Sequence, residues 1–238
     1  MILAIIMAGL TLLLVTAAVF LFRPDWIVAP LASLSPEVVY SIETSEPVVA
    51  LTVDDGPDPE TTERILDVLG RYAARATFFL ISDHVAGNED VVARTAREHH
   101  ELANHLNTDH PSILLDPVDF EWQLVASHRV LSQFANVRWF RPGSAWYSAG
   151  MLSVLRKHGY RCVLGSVYPF DPQLRSSWFA ARYVLQHVRP GSILVLHDCG
   201  RRGERTVATL ATILPELSRR GFRLITLSEM LDLSTLGR

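Results

Sequence analysis

Short apolar runs alternate with amphipathic stretches along the chain from Val48 onward, and this alternation constrains the fold more than any other feature. The apolar runs are rich in Val, Ile, Leu and aromatic residues, which is typical of buried strands. Strands separated by helices of about 10 to 18 residues form βαβ units with parallel strands. We therefore predict an α/β fold with a parallel sheet, either open or closed into a barrel.

The apolar runs predict seven strands, and the 3.6-residue periodicity between them predicts four helices. Asp116 is predicted as a helix N-cap with Pro117 at the first helical position. The predicted strands are Val48–Val53, Ala76–Ile81, Glu101–Asn104, Val137–Phe140, Tyr160–Leu164, Ser192–Leu196 and Phe222–Ile225. The predicted helices are Glu60–Ala73, Asp116–Phe134, Ser148–His158 and Glu204–Arg219.

The first 22 residues contain no charged side chain. As a helix they would span about 33 Å, enough to cross a hydrocarbon core of about 30 Å. We predict a transmembrane signal-anchor over residues 1–22, with a cleaved signal peptide as the alternative. Residues 23–46, with several prolines and no clear period, are predicted to form an irregular juxtamembrane connector. The catalytic domain is predicted over residues 47–235.

Composition excludes several other classes of protein. Hydrophobic residues make up 49% of the chain, enough for one sizeable core and far from a disordered composition. The net charge of -3 and the absence of a long Lys/Arg run argue against a nucleic-acid partner. Cys162 and Cys199 cannot form a disulfide framework, although a single bridge between them is an alternative to two thiols.

Most residues with catalytic chemistry follow predicted strands directly. In parallel α/β folds the carboxyl ends of the strands meet at one edge, where active sites form. Gly56 and Pro57 predict a tight turn that holds two adjacent carboxylates at this edge. We therefore predict an active site that contains Asp54, Asp55, His105, Arg141, Asp171 and His197.

The segment Thr52-Val-Asp-Asp-Gly-Pro57 resembles the first motif of the NodB-homology polysaccharide deacetylases, a family that includes chitin and peptidoglycan deacetylases. The resemblance extends from about Val48 to Leu233. It implies a deformed (β/α) barrel with fewer than eight strands, in agreement with the seven predicted here. It also implies that Asp54 is the catalytic base and that Asp55 is a metal ligand.

The segment Asn104-His-Leu-Asn-Thr-Asp-His-Pro111 resembles the second motif, in which two histidines four residues apart complete the metal site. His105 fits the first position. Asp109 lies four residues later and His110 five residues later, so these two are alternative third ligands, with Asp109 favoured by the spacing. Both side chains can bind zinc. The resemblance implies a divalent metal cofactor, zinc first, with cobalt or manganese as alternatives.

The segment Trp139-Phe-Arg-Pro-Gly-Ser-Ala-Trp-Tyr147 resembles the third motif. By resemblance Arg141 orients the catalytic base, and the backbone N–H of Ser144 stabilises the oxyanion. Trp146 and Tyr147 are candidates for a wall on which a sugar ring stacks, or else ordinary aromatics of the core or rim.

Two further motifs complete the resemblance. Ser166-Val-Tyr-Pro-Phe-Asp-Pro172 departs from the fourth motif, and here Asp171 is predicted to pair with Arg141. Ile193-Leu-Val-Leu-His-Asp198 fits the fifth motif. By resemblance His197 is the general acid, and Leu194 or Leu196 lines the pocket for the acetyl methyl group.

The resemblance implies a metal-dependent hydrolase that removes N-acetyl or O-acetyl groups from a polysaccharide such as chitin or peptidoglycan. Its partners are then a glycan with acetylated amino sugars and, through the N-terminal helix, a membrane. This substrate places the catalytic domain outside the cytoplasm, in a cell envelope or secretory lumen, whereas Arg23 alone would favour the opposite orientation. The alternative function is a catalytically inactive homologue that binds glycan.

Overall fold

The computed structural model describes residues 35–236 and, nearer the N-terminus, residues 7, 9, 11 and 15. Contacts divide the chain into two compact units, Met1–Val38 and Val39–Arg238. In the first unit the four described N-terminal residues are helical. The rest of the predicted transmembrane segment, residues 1–22, lies outside the described residues. Within the described part of the chain, no helix has the length and apolar character needed to span a bilayer.

Eight strands form one sheet among the described residues. All seven predicted strands are present, and the two-residue β1 is an addition within the segment predicted to be irregular. Every residue of β2 is buried, as expected for a strand that is covered on both faces. The strands are β1 (Val38–Val39), β2 (Val48–Asp54), β3 (Thr77–Leu80), β4 (Glu101–Asn104), β5 (Trp139–Phe140), β6 (Arg161–Val163), β7 (Ile193–His197) and β8 (Arg223–Ile225).

The strands lie in the order β1-β6-β5-β4-β3-β2-β7, and β8 pairs with the first half of β2. β2 to β8 all run parallel to one another. The sheet curls so that the segment after β6 reaches β7, where Val167 forms a parallel bridge with Leu194. This contact joins the β6 end of the strand order to the β7 end. It confirms the predicted deformed barrel of seven parallel strands.

Seven α-helices lie within residues 35–236, and they include all four that were predicted. The Asp116 carboxylate accepts the N–H groups of Val118 and Asp119 at 2.8 and 2.9 Å, which confirms the predicted N-cap. The last long helix begins at Gly200 rather than at the predicted Glu204. The helices are α1 (Thr61–Gly70), α2 (Glu89–Arg97), α3 (Pro117–Leu131), α4 (Ala149–Lys157), α5 (Ser177–His187), α6 (Gly200–Arg219) and α7 (Leu227–Leu236).

Apolar side chains fill the interior of the barrel. One buried cluster contains a residue from each of β2 to β7, and Leu227 and Met230 of α7 pack into the same cluster. A filled interior leaves the ends of the strands, rather than a central pore, as the place for chemistry. The strand residues of this cluster include Ala50, Phe79, Ala103, Trp139, Val163 and Ile193.

Candidate active site

Four of the predicted site residues lie together at the carboxyl ends of the strands. Asp54 is the last residue of β2 and is in register with His197, the last residue of β7. His105 directly follows β4, and Arg141 directly follows β5. Because these strands are parallel, their carboxyl ends share one edge of the barrel. The structure therefore brings these residues to one site, as the strand pattern predicts.

A buried ion pair joins Asp54 to Arg141. Nη1 of Arg141 lies 2.6 Å from Oδ1 of Asp54 and 2.7 Å from the hydroxyl oxygen of Thr52. The other guanidinium nitrogens donate to the backbone carbonyls of Val163 and Leu164. Since all three nitrogens are engaged, the guanidinium is fixed in place and directs a positive charge at one oxygen of the Asp54 carboxylate.

Asp55 and His105 form a second pair, in which Nε2 of His105 lies 3.5 Å from Oδ1 of Asp55. Nδ1 of His105 donates to the Arg141 carbonyl at 2.7 Å, which leaves Nε2 directed at Asp55. Metal-binding histidines are held in this way. Burial raises the pKa of Asp55, but the hydrogen bond with His105 and the attraction of His197 and Arg202 outweigh it and lower this pKa well below its usual value.

The third metal ligand predicted from the sequence does not join this pair. Asp109 and His110 are both exposed, because residues 109 and 110 lie in the loop beyond the strand end. Among the residues that the structure describes, no group of three His, Cys, Asp or Glu side chains is placed to hold a metal ion. Instead, Nη1 of Arg202 lies 2.8 Å from Oδ2 of Asp55.

The prediction that Asp171 pairs with Arg141 is wrong. Asp171 is buried, and its carboxylate accepts a bond from Nδ1 of His197 at 3.0 Å and another from the backbone N–H of His197 at 3.1 Å. The bridge between Val167 and Leu194 explains the difference. It draws the segment that carries Asp171 onto β7, beside His197.

Neighbouring carboxylates determine the ionisation of His197. Burial lowers the pKa of this imidazole, because the charged form loses its hydration. Attraction to Asp171, and then to Asp54 and Asp55, outweighs burial and raises the pKa to about 9. The ring is therefore protonated at neutral pH and can donate a proton.

The residues predicted to bind substrate have different environments. Ser144 is exposed and has a left-handed backbone, with φ 63°. Trp146 is 48% exposed and presents an accessible ring. The Tyr147 hydroxyl forms a hydrogen bond of 3.0 Å with the Tyr40 hydroxyl. Leu196 is fully buried within β7. Of the two predicted stacking residues, Trp146 is thus the more accessible.

Asp198 connects the elements that carry the site. It is fully buried, and its carboxylate accepts hydrogen bonds from the Thr61 and Thr62 hydroxyls at the start of α1. Its backbone N–H donates to the Asp54 carbonyl at 2.7 Å. Asp198 therefore ties the end of β7 both to α1 and to the strand end that carries Asp54.

Arg202 was not predicted as a site residue, because α6 begins earlier than the sequence predicts. The turn before α6 passes through Cys199, whose φ of 71° is left-handed. The Cys199 thiol donates to the Asp55 carbonyl at 3.1 Å, and no disulfide joins it to Cys162. A left-handed cysteine gives no helix-start signal in a sequence, so the first turn of α6 and its arginine could not be placed.

A barrel of parallel strands with acid–base groups at its carboxyl edge defines the class of protein, a barrel enzyme that works by proton transfer. Comparison with known proteins gives the family. Residues 41–163 match the profile of the family described as polysaccharide deacetylase. The chain belongs to the polysaccharide deacetylase family and is a hydrolase that removes acetyl groups.

Relatives and solved structures agree with this family. The chain is 33% identical over 198 residues to a peptidoglycan-N-acetylglucosamine deacetylase of Bacillus cereus, with 82% of this chain and 92% of the relative covered. It is 32% identical to a chitooligosaccharide deacetylase of Bradyrhizobium sp., with 76% and 90% covered. A crystal structure of a peptidoglycan N-acetylglucosamine deacetylase superimposes with a TM-score of 0.79 at 28% identity, covering 84% of this chain and 95% of that one.

Proposed function

We propose that this deacetylase hydrolyses the N-acetyl groups of N-acetylglucosamine units in peptidoglycan or chitin oligomers. The observation that carries the proposal is the placement of two acid–base groups at adjacent strand ends, Asp54 held by Arg141 and His197 held by Asp171. Two relatives are named for deacetylation of peptidoglycan N-acetylglucosamine and of chitooligosaccharides. Both substrates are built from this sugar unit, which supports the proposed substrate class.

Asp54 is proposed as the general base. Water adds to the acetyl carbon only if a proton is removed from it, and a positioned carboxylate accelerates such a step by about 10²–10⁴-fold. Arg141 is a positioning residue in this scheme. Its contacts with the Thr52 hydroxyl and two backbone carbonyls support the role, since they fix the guanidinium that holds one oxygen of Asp54.

His197 is proposed as the general acid. When the carbon–nitrogen bond breaks, the leaving amine needs a proton, and the raised pKa of about 9 keeps that proton on His197 at neutral pH. Asp171 accepts the bond from Nδ1 and so leaves Nε2 as the nitrogen that faces away from it. The proton that Asp54 takes from water balances the one that His197 gives, and the products are acetate and a free amino sugar.

We propose that a divalent metal, zinc first, binds at Asp55 and His105. The donor chemistry of the pair fits, because Nδ1 of His105 is held by a backbone carbonyl while Nε2 faces a carboxylate. When bound, such an ion polarises the acetyl carbonyl and makes water more acidic.

Asp109 is proposed as the third ligand in preference to His110. The support is its spacing, because Asp109 lies four residues after His105, as the second ligand of the motif does. If Asp109→Ala bound zinc as tightly as the wild-type chain while His110→Ala bound it more weakly, the role would pass to His110.

Substrate contacts are proposed for the loop after β5. The backbone N–H of Ser144 is the candidate donor to the oxyanion, and removal of one such donor typically costs about 10²–10³ in rate. The exposed ring of Trp146 is the candidate surface for stacking of a sugar ring.

We propose that residues 1–22 anchor the protein in a membrane and that the catalytic domain faces a cell envelope or secretory lumen. Support for the anchor is the absence of charged residues from this segment. Support for the orientation is the substrate class, since glycans of this kind lie outside the cytoplasm. Protease treatment of sealed vesicles that carry a tagged chain would test the orientation. A catalytic domain found on the cytoplasmic face would exclude the proposed orientation.

The purified full-length chain is expected to release acetate from N-acetylglucosamine oligomers or peptidoglycan fragments when zinc is supplied. Acetate in the soluble fraction is the measurement, and the same incubation with excess chelator is the control. Zinc-loaded protein that releases no acetate from chitin oligomers, peptidoglycan fragments or acetylxylan would favour the inactive glycan-binding homologue instead.

The substitution Asp171→Asn is expected to lower the pKa of His197 from about 9 towards its ordinary value of 6.5. A general acid must be protonated, so activity falls as pH rises through this pKa. In the Asp171→Asn protein the alkaline limb of the pH–rate profile should therefore move to lower pH. A titration of histidine ring resonances in metal-free protein measures the pKa directly. Asp83→Asn, at an exposed carboxylate, is the control. An unchanged alkaline limb would remove Asp171 from this role.

A further inference from the structure

Tyr168 packs against His197, and the role inferred for it rests on the general-acid function proposed above. The two ring centroids lie 5.7 Å apart and the ring planes are inclined by 85°, which makes an edge-to-face pair. The side chain of His197 is only 12% exposed. Edge-to-face pairs are attractive and have a preferred geometry, so this contact restricts where the imidazole can lie.

The backbone that carries Tyr168 is hydrogen-bonded to the strand that carries His197. The N–H of Val167 donates to the Ile193 carbonyl at 3.0 Å, and the Val167 carbonyl accepts the N–H of Val195 at 3.0 Å. Both of these partners lie in β7, which ends at His197. The position of the tyrosine relative to the imidazole is therefore set by backbone pairing.

A second ring, Phe170, packs against Tyr168 at 5.4 Å and 86°. Phe170 is 5% exposed and forms a further edge-to-face pair with Tyr183 of α5. The Tyr168 hydroxyl donates to Oε1 of Gln173 at 3.2 Å. The hydroxyl thus has its own partner, and the contact with His197 is a contact between the two rings.

The bond with Asp171 fixes only one atom of the imidazole of His197. Nδ1 lies 3.1 Å from Oδ1 and 3.0 Å from Oδ2 of Asp171, so the two oxygens share the bond. A shared bond tolerates tilting of the ring about Nδ1, and the torsion that turns an imidazole has broad minima. A second contact is needed to keep Nε2 pointing in one direction.

We propose that Tyr168 is a positioning residue for His197. Its ring limits the tilt of the imidazole and keeps Nε2 in the direction from which it gives its proton to the leaving amine. A misplacement of about 1 Å costs about 10²-fold in rate, so loss of this contact slows turnover even though the proton is still present. Asp171 and Tyr168 thus divide the support of the acid: the carboxylate keeps it protonated, and the ring keeps it aligned.

Tyr168 acts in this scheme without a charge of its own. Burial outweighs the hydrogen bond with Gln173 and raises the pKa of the Tyr168 hydroxyl to about 12. The side chain is therefore neutral at neutral pH. The charges that raise the pKa of His197 belong to Asp171, Asp54 and Asp55, so removal of Tyr168 takes away a contact and leaves these charges in place.

The test compares Tyr168→Leu with Tyr168→Phe in the full-length chain supplied with zinc. Leucine keeps an apolar side chain without the ring, and kcat for acetate release is expected to fall about 10- to 100-fold while KM stays near the wild-type value. Phenylalanine keeps the ring without the hydroxyl and should hold kcat within about threefold of wild type. Phe179→Leu removes a ring of α5 that stacks on Tyr183, and as the matched control it should leave kcat unchanged.

The ring resonances of His197 provide a measurement that does not depend on turnover. They are assigned by their absence from His197→Gln, and they should shift in Tyr168→Leu but stay near their wild-type positions in Tyr168→Phe, because a neighbouring aromatic ring shifts them. Their titration in Tyr168→Leu should give a pKa nearer to 9 than the one found in Asp171→Asn.

Three results would overturn the role of Tyr168: a wild-type kcat in Tyr168→Leu, equal losses in the leucine and phenylalanine variants, or a rise in KM alone, which would make Tyr168 a substrate contact. Unmoved His197 resonances in Tyr168→Leu would also contradict it. A wild-type chain that released no acetate would instead contradict the proposed function, so the two failures are distinguishable.

Discussion

The substitution Asp54→Asn is expected to reduce kcat by about 10²–10⁴-fold, the range that a positioned general base contributes. Asparagine has nearly the same shape, and its amide oxygen can still accept the bond from Nη1 of Arg141, which lies 2.6 Å from Oδ1 in the wild-type chain. It cannot take a proton from water. The rate of acetate release should fall while zinc binding at Asp55 and His105 is retained.

Two measurements separate a catalytic loss from a structural one. Zinc affinity and melting temperature should be close to those of the wild-type chain, and Asp83→Asn, which changes an exposed carboxylate in the same way, should keep full activity. If Asp54→Asn released acetate at the wild-type rate, Asp54 would not be the base. If it lost zinc as well as activity, the division of roles between Asp54 and Asp55 would need revision.

The substitution Arg141→Leu is expected to lower the free energy of unfolding by about 3–5 kcal/mol, because it leaves the Asp54 carboxylate buried without its partner. Both side chains of the pair are almost inaccessible to solvent. Denaturant unfolding of the metal-free protein measures the loss. Arg219→Leu, which breaks an ion pair on the surface of α6, is the matched control and should cost far less, because exposed ion pairs contribute little to stability.

A double substitution tests the cause of this loss. Asp54→Asn combined with Arg141→Leu removes both charges, so the double variant is expected to be more stable than Arg141→Leu alone. If the double variant were less stable than Arg141→Leu, packing and the contacts with Thr52, Val163 and Leu164 would explain the loss better than the unpaired carboxylate.

The sequence predicts the parts of the site that depend on local pattern. Asp54, His105, Arg141 and His197 each follow or end an apolar run, and parallel strands bring such positions to one edge. The same reasoning predicts the barrel, since the strand spacing requires helical crossovers. These features could be predicted because strand periodicity and the direction of βαβ connections are local properties of the chain.

The partners of these residues could not be predicted, because they depend on contacts between distant segments. Asp171 pairs with His197 rather than with Arg141 because the segment after β6 bridges to β7, and no periodicity in the sequence reports that bridge. Arg202 reaches Asp55 because α6 starts after a left-handed Cys199. Both interactions result from the tertiary fold.

Gly203 limits how this site can vary. A Cβ at this position would lie 2.3 Å from Oγ1 of Thr61 and 2.5 Å from Oδ1 of Asp198, closer than atoms can approach. The first turn of α6 is thus seated directly on the start of α1, and any larger residue at 203 would push the adjacent Arg202 away from Asp55. A mutational library of this turn should therefore keep glycine at 203.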